Sequence, residues 1–224
     1  MFNWRSRFDG GEIRRLVVDA NDGIIAGAGI IHALYVANYP EYVAVLAAFG
    51  AMVAGALSTG GATYWETSND REAMQALVEE ERRLLQLSPE EELKELTHIY
   101  VEKGVSADLA RQVALELSAK DALAAHMQEE LGISPDDLEE HPTVAASLSV
   151  IAFAFGALVP ILVVLLTPDT WSDAALIVAV LAALVGTSVI AARSSRMNTW
   201  HTIRRTLVIA IGAVLLSTAV GLIG

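Results

Sequence analysis

The stretch Thr143-Val-Ala-Ala-Ser-Leu-Ser-Val-Ile-Ala-Phe-Ala-Phe-Gly-Ala-Leu-Val-Pro-Ile-Leu-Val-Val-Leu-Leu166 contains no charged side chain. A helix of roughly 20 apolar residues, rising about 1.5 Å per residue, crosses the hydrocarbon core of a bilayer. Four other stretches are comparably poor in charge: about Leu16 to Ala37, Val43 to Tyr64, Ala174 to Ala192 and Thr206 to Ile223. Of the five, only the first carries carboxylates, Asp19 and Asp22. A secretory signal peptide is the rival reading of Arg14-Arg15 followed by an apolar run, but the two aspartates interrupt its apolar core. Five transmembrane helices are therefore expected.

The rest of the composition narrows the chemistry. Of 224 residues 54% are hydrophobic, and 15 Lys+Arg face 27 Asp+Glu for a net charge of −12. Such a charge disfavours phosphate backbones, so nucleic acid is not an expected partner. There is no cysteine, which removes disulfides, thiolate metal sites and Cys nucleophiles together. Metal chemistry is left to oxygen, imidazole and thioether ligands.

Basic residues set the expected orientation, because Lys and Arg in short loops stay on the cytoplasmic side. Arg5, Arg7, Arg14 and Arg15 precede the first span, seven basic residues lie between 65 and 142, and Arg193, Arg196, Arg204 and Arg205 sit between the fourth and fifth spans. These are all the basic residues of the chain. The pattern predicts the amino terminus inside and the carboxyl terminus outside. Trp65, Trp171 and Trp200 fall at predicted span ends, where indole rings favour the interface.

One section outside the spans is large enough to fold. Residues 66 to 141 hold 20 of the 27 acidic residues and seven basic ones, a local net of −13. Leu77, Leu84 and Leu85 repeat at helical spacing, as do Leu93, Leu96, Ile99 and Tyr100. Ser88-Pro89-Glu90-Glu91 reads as a helix start, Gly104 as a stop, Ser106 as the next cap and Gly132 as its stop. The spacing predicts three cytoplasmic helices, about 66 to 87 continuing the second span, 89 to 102, and 106 to 131. The expected fold class is thus an all-α membrane protein with a three-helix cytoplasmic domain inserted between spans 2 and 3.

Several constellations could carry chemistry. Asp19 and Asp22 are one helical turn apart at a depth where a carboxylate is costly, which by default marks an ion path; for Asp19 the bland alternative is a cap at the headgroup level. Small residues crowd the first two spans, Gly23, Gly27 and Gly29 in one and Gly50, Gly55, Ser58, Thr59, Gly60 and Gly61 in the other. They predict close packing of these two helices, around a narrow path or as a dimer seam. Pro160 frees a carbonyl for a water-lined cavity or simply kinks its span. Glu81, with Glu92 and Glu95 across a short turn and Met127, Glu129 and Glu130 on the third helix, can converge on a borderline divalent ion such as Fe²⁺, Mn²⁺ or Zn²⁺. The alternative is a solvated acidic face. His32 could relay protons or make an interhelical hydrogen bond, and His98 is a further possible ligand.

At this point the chain resembles the vacuolar iron transporter family. Ala20-Asn21-Asp22-Gly23-Ile24 looks like the family's first-span signature. Tyr64, the run from Ser88-Pro89-Glu90 through Ile99-Tyr100 and Lys103-Gly104, and His126-Met127-Gln128-Glu129-Glu130-Leu131-Gly132 follow its insert. His141-Pro142, Phe155-Gly156-Ala157-Leu158-Val159-Pro160 and Arg205 follow in the family's order. The resemblance implies a five-span homodimer with a metal-binding insert that exports Fe²⁺, often Mn²⁺, in exchange for protons. Carried over by position, Asp22 is the intramembrane metal and proton ligand, and Glu81, Glu92, Glu95, Met127 or its neighbour, and Glu130 are ligands of the insert. Three positions depart from the pattern: Thr59 and Thr63 stand where the family has a membrane Met and Glu, and Leu84 stands at a further glutamate of the insert. Glu66 lies about one turn beyond Thr63 and could substitute at an interfacial level.

The expected mechanism starts with the acidic insert concentrating divalent cations. They pass to Asp22, with Asp19, Ser58, Thr59, Thr63 and Glu66 offering oxygens on the way, and protonation from the outer side releases them. A non-transporting metal sensor or buffer is the alternative, motivated by Thr59 and Thr63. An enzyme is not expected, because no HExxH, GxSxG or Cys nucleophile is legible. With a short amino-terminal tail and no vacuolar targeting segment legible, a bacterial inner membrane is the expected location.

Overall fold

A computed structural model describes residues 10–134, 141–168, 172–195 and 197–223. Arg5, Arg7, Trp171 and Arg196, used above for orientation and interface, lie outside the described residues. Among the described residues the secondary structure is helical throughout: α1 Gly10–Val36, α2 Glu41–Leu87, α3 Pro89–Glu102, α4 Ala107–Glu129, α5 Pro142–Leu166, α6 Ser172–Ser194 and α7 Thr199–Ile223. Five of them, α1, α2, α5, α6 and α7, are long and apolar enough to cross a membrane. Trp65 and Trp200 are exposed. The chain separates into two compact units, Met1–Tyr64 with Thr143–Gly224, and Trp65–Pro142.

The first unit is held by small residues rather than large ones. A Cβ on Gly23 of α1 would run into the Phe153 carbonyl oxygen of α5, and one on Gly156 of α5 into the Ala20 carbonyl oxygen of α1. The two backbones are therefore in contact, which in lipid, where apolar burial drives nothing, is how helices bind. Gly27 receives Pro160, which is fully buried, while Gly55 and Gly60 of α2 receive Phe153 and Val150 of α5. The close packing expected between the first two spans is thus made largely through the third, because its Phe153, Gly156 and Pro160 fill the glycine notches of both. Gly29, Gly50 and Gly61 face open space. Ile24, Ile31, Ala48, Ile161, Leu176 and Leu184 form the buried centre, and the outer faces present residues such as Leu46, Leu57, Phe155 and Leu216, as lipid requires.

Local signals govern the turns. Asn38 adopts φ 58° between α1 and α2, a left-handed conformation that Asn tolerates. In the second unit Gly104 (φ 91°) and Gly132 (φ 65°) terminate helices where only glycine turns without strain. Ser88 and Ser106 occupy the expected N-cap positions but make no side-chain capping bond. The third helix of the insert is not continuous: Asp121 is extended (φ −162°, ψ 94°) and its carboxylate accepts the Ala124 N–H at 3.0 Å. Asp121 thereby caps a fresh helical segment that redirects residues 122 to 129. Leu93, Leu96 and Tyr100 of α3 pack with Ala114 and Leu117 and, beyond that break, Ala125 of α4.

Candidate metal centre

Three helices of the second unit bring one acidic group together. Glu81 comes from the last turns of α2, Glu92 from the first turn of α3, and His126 with Glu130 from the end of α4. One ligand atom from each of the four lies within 4.8 Å of the others. His126 Nδ1 is 3.0 Å from Glu81 Oε1, 3.0 Å from Glu130 Oε2 and 3.9 Å from Glu92 Oε2. The His126 side chain is wholly buried, and those of Glu81 and Glu92 are 4% and 8% exposed.

These carboxylates are in an unfavourable place without a cation. Two unit charges about 4 Å apart repel by about 4 kcal/mol at an effective dielectric of about 20. Burial pushes the Glu81 carboxyl above the usual range, as do the charges of Glu130, Glu92 and Glu95, against the pull of His126. Glu92 is raised for the same reasons, burial first and then Glu95, with His126 again opposing. The imidazole can donate the Nδ1 proton to one acceptor at a time. It donates to Glu130, so Glu81 Oε1 stays buried without a hydrogen bond, as does His126 Nε2. Orphaned buried polar atoms are rare. A divalent cation in place of the Nδ1 proton would be met by Nδ1 and three carboxylates, a donor set that suits Mn²⁺, Fe²⁺ or Zn²⁺ better than Mg²⁺.

The other residues singled out from the sequence fall differently. Glu95 is exposed one turn after Glu92 and acts on Glu81 and Glu92 through its charge. Met127 is buried beside His126. Glu129 is ion-paired with Lys103, which holds its carboxyl below the usual range. His98 is exposed, 3.7 Å from Glu102. Glu79 and Glu80 pair with Arg82 and Arg83 on an exposed face, so only part of the acidic run turns inward. Leu84 is half-buried. His126, which joins this cluster, is legible in the sequence only as the neighbour of Met127, although its spacing of four residues from Glu130 puts both on one helix face.

In the membrane unit Asp22 is exposed, whereas Asp19 is buried. Ser58 is exposed, Thr59 half-buried, and Thr63 is buried and donates to Ser149 Oγ at 3.0 Å. Glu66 is exposed. His32 Nε2 lies 3.0 Å from Thr218 Oγ1, the interhelical hydrogen bond that was one of its two readings.

Fold and site together define an all-helical integral membrane protein with an inserted helical unit holding a carboxylate–imidazole cluster in which Glu81, Glu92 and His126 are buried and Glu130 is exposed. The chain belongs to the VIT family, whose sequence model matches residues 13–222. It is similar to a vacuolar iron transporter of Acanthamoeba castellanii, 37% identical over 161 residues that cover 72% of this chain and 58% of that protein. A vacuolar iron transporter of Toxoplasma gondii is 28% identical over 152 residues, 66% of this chain and 50% of that protein. The chain thus spans about half the length of these curated relatives. Their names and sources give no support to the bacterial inner membrane expected above.

Proposed function

We infer that the chain transports a divalent transition-metal ion, Fe²⁺ or Mn²⁺, out of the cytoplasm in exchange for protons. The observation that carries this reading is the cluster of Glu81, Glu92, His126 and Glu130, with a carboxylate oxygen and an imidazole nitrogen buried and unbonded. Its donors suit a borderline cation, and the relatives named as vacuolar iron transporters support iron as the cargo. The basic residues favour an orientation with the insert in the cytoplasm, where the net −13 of residues 66 to 141 concentrates cations. Ions reach Asp22 in the membrane, which binds them when ionised and releases them on protonation from the far side.

Asp22 also supports assembly of two copies. A carboxylate turned to acyl chains costs about 2.5–3.5 kcal/mol at mid-membrane on insertion scales, and Asp22 is exposed on the single chain. A second copy covering that face would remove this cost, and the open notches at Gly50 and Gly61 of α2 offer places for close helix contact.

The test is Fe²⁺ and Mn²⁺ uptake into proteoliposomes carrying a pH gradient. The expected result is gradient-driven flux that Asp22→Asn abolishes. Flux in Asp22→Asn equal to the parent's would overturn the mechanism. Metal binding without flux in the parent would leave the sensor or buffer reading, which Thr59 and Thr63 favour by offering neither thioether nor carboxylate.

A further inference from the structure

Inside the membrane unit one acid is far more buried than Asp22. Asp19 of α1 is 7% exposed, and its Oδ2 has no hydrogen-bond partner. Its carboxylate faces the Ser149 hydroxyl of α5. Ser149 is fully buried and accepts a hydrogen bond from Thr63 of α2 at 3.0 Å, itself buried. Having accepted, Ser149 keeps its own proton to donate toward Asp19. Thr63 of α2 bonds Ser149 of α5, and Ser149 in turn neighbours Asp19 of α1, so the three groups join three helices.

The packing explains why these groups meet. Gly23 and Gly156 let the backbones of α1 and α5 touch, and Gly60 lets α2 settle on Val150 of α5. Hydroxyls at these crossings would suffice to glue helices; a carboxylate is not needed and is expensive there. Arg15 lies one turn before Asp19 and acts on it electrostatically, yet no donor reaches Oδ2.

We propose that Asp19, Ser149 and Thr63 form an intramembrane subsite for a partly hydrated divalent cation, bound at Asp19 Oδ2 and distinct from both Asp22 and the Glu81–His126 cluster. One carboxylate and two hydroxyls are too few to strip an ion of its water, so binding is weak and exchange fast, as a site of passage requires. The all-oxygen set suits Mn²⁺ or Fe²⁺ and gives Zn²⁺ no nitrogen or sulfur ligand. The proposal rests on the transport reading for its purpose but not for its test.

The experiment is Mn²⁺ binding to the full chain in nanodiscs, in a background carrying Glu81→Gln and His126→Gln to silence the other cluster, with flux measured in parallel on the otherwise unaltered chain. Asp19→Asn should weaken the remaining Mn²⁺ binding on the order of tenfold or more and slow flux likewise, with no fall in unfolding temperature, since it removes a buried charge from an isosteric side chain. Should Asp19→Asn not fold, Thr63→Val, which keeps the acid and the side-chain shape, carries the expectation of a loss of about tenfold. Binding and flux equal to the parent's overturn the subsite and leave the transport reading intact. Asp19-dependent binding in a parent that carries no metal overturns transport and leaves the subsite. A silenced parent that binds no Mn²⁺ overturns the subsite directly.

Discussion

Replacing Glu81 by Gln separates a metal ligand from a structural carboxylate, because the two roles predict opposite signs. Glu81 is buried between Glu92, Glu130 and His126, and its Oε1 receives no hydrogen bond. Each ionised pair in this group costs about 4 kcal/mol at about 4 Å and an effective dielectric of about 20. Proton uptake relieves most of this, so removing the charge should stabilise the metal-free protein by a fraction of it, about 1–2 kcal/mol. The Gln amide can also donate to Glu92 or Glu130, which Glu81 cannot do while ionised. Metal binding should move the other way, weakening about a hundredfold, or close to 3 kcal/mol, for loss of one charged oxygen ligand. Mn²⁺ binding by calorimetry on the full chain in detergent gives the second quantity. Hydrogen exchange of α3 and α4 amides, with and without Mn²⁺, gives the first. If Glu81→Gln destabilises the metal-free protein and binds Mn²⁺ as tightly as the parent, the cluster is a proton-sharing structural network and the reasoning is refuted.

Three further outcomes follow from the same structure. Because the Glu81 and Glu92 carboxyls are raised on folding, the folded protein holds more protons than the unfolded chain above the ordinary glutamate range. Stability of the metal-free insert should be full below that range and fall as pH rises through the raised values, with Mn²⁺ restoring it; protection that increases with pH in the absence of metal would contradict this. Gly156→Ala should destabilise the membrane unit by about 1–3 kcal/mol, since its Cβ meets the Ala20 carbonyl oxygen and not a flexible side chain, read as a lowered unfolding temperature in detergent. Asp121→Ala removes the carboxylate that caps the last segment of α4 and should cost about 1 kcal/mol, with weaker Mn²⁺ binding because His126 and Glu130 lose their aim.

Much of the architecture is written in one-dimensional pattern. Runs free of charge from Thr143 to Leu166 and in four other places have a single stable solution in lipid, because backbone groups there must be bonded within the helix. Ser88-Pro89, Gly104 and Gly132 fix helix ends by local backbone preference, so the boundaries in the insert were legible to within a few residues. That Glu81, Glu92 and Glu130 could converge was also legible.

What spacing could not supply is depth and direction, which depend on contacts between residues far apart in the chain. The break at Asp121 arises from a side chain competing for a backbone N–H, and it decides that His126 points into the carboxylates. The burial of Asp19 and exposure of Asp22, one turn apart on α1, follow from where Gly156 of α5 allows the helices to cross. Sequence alone thus determined five spans and an acidic helical insert, because hydrophobic length and turn chemistry are local quantities. Only the tertiary structure decided which acids lose their water, because desolvation is set by neighbours that the linear order does not name.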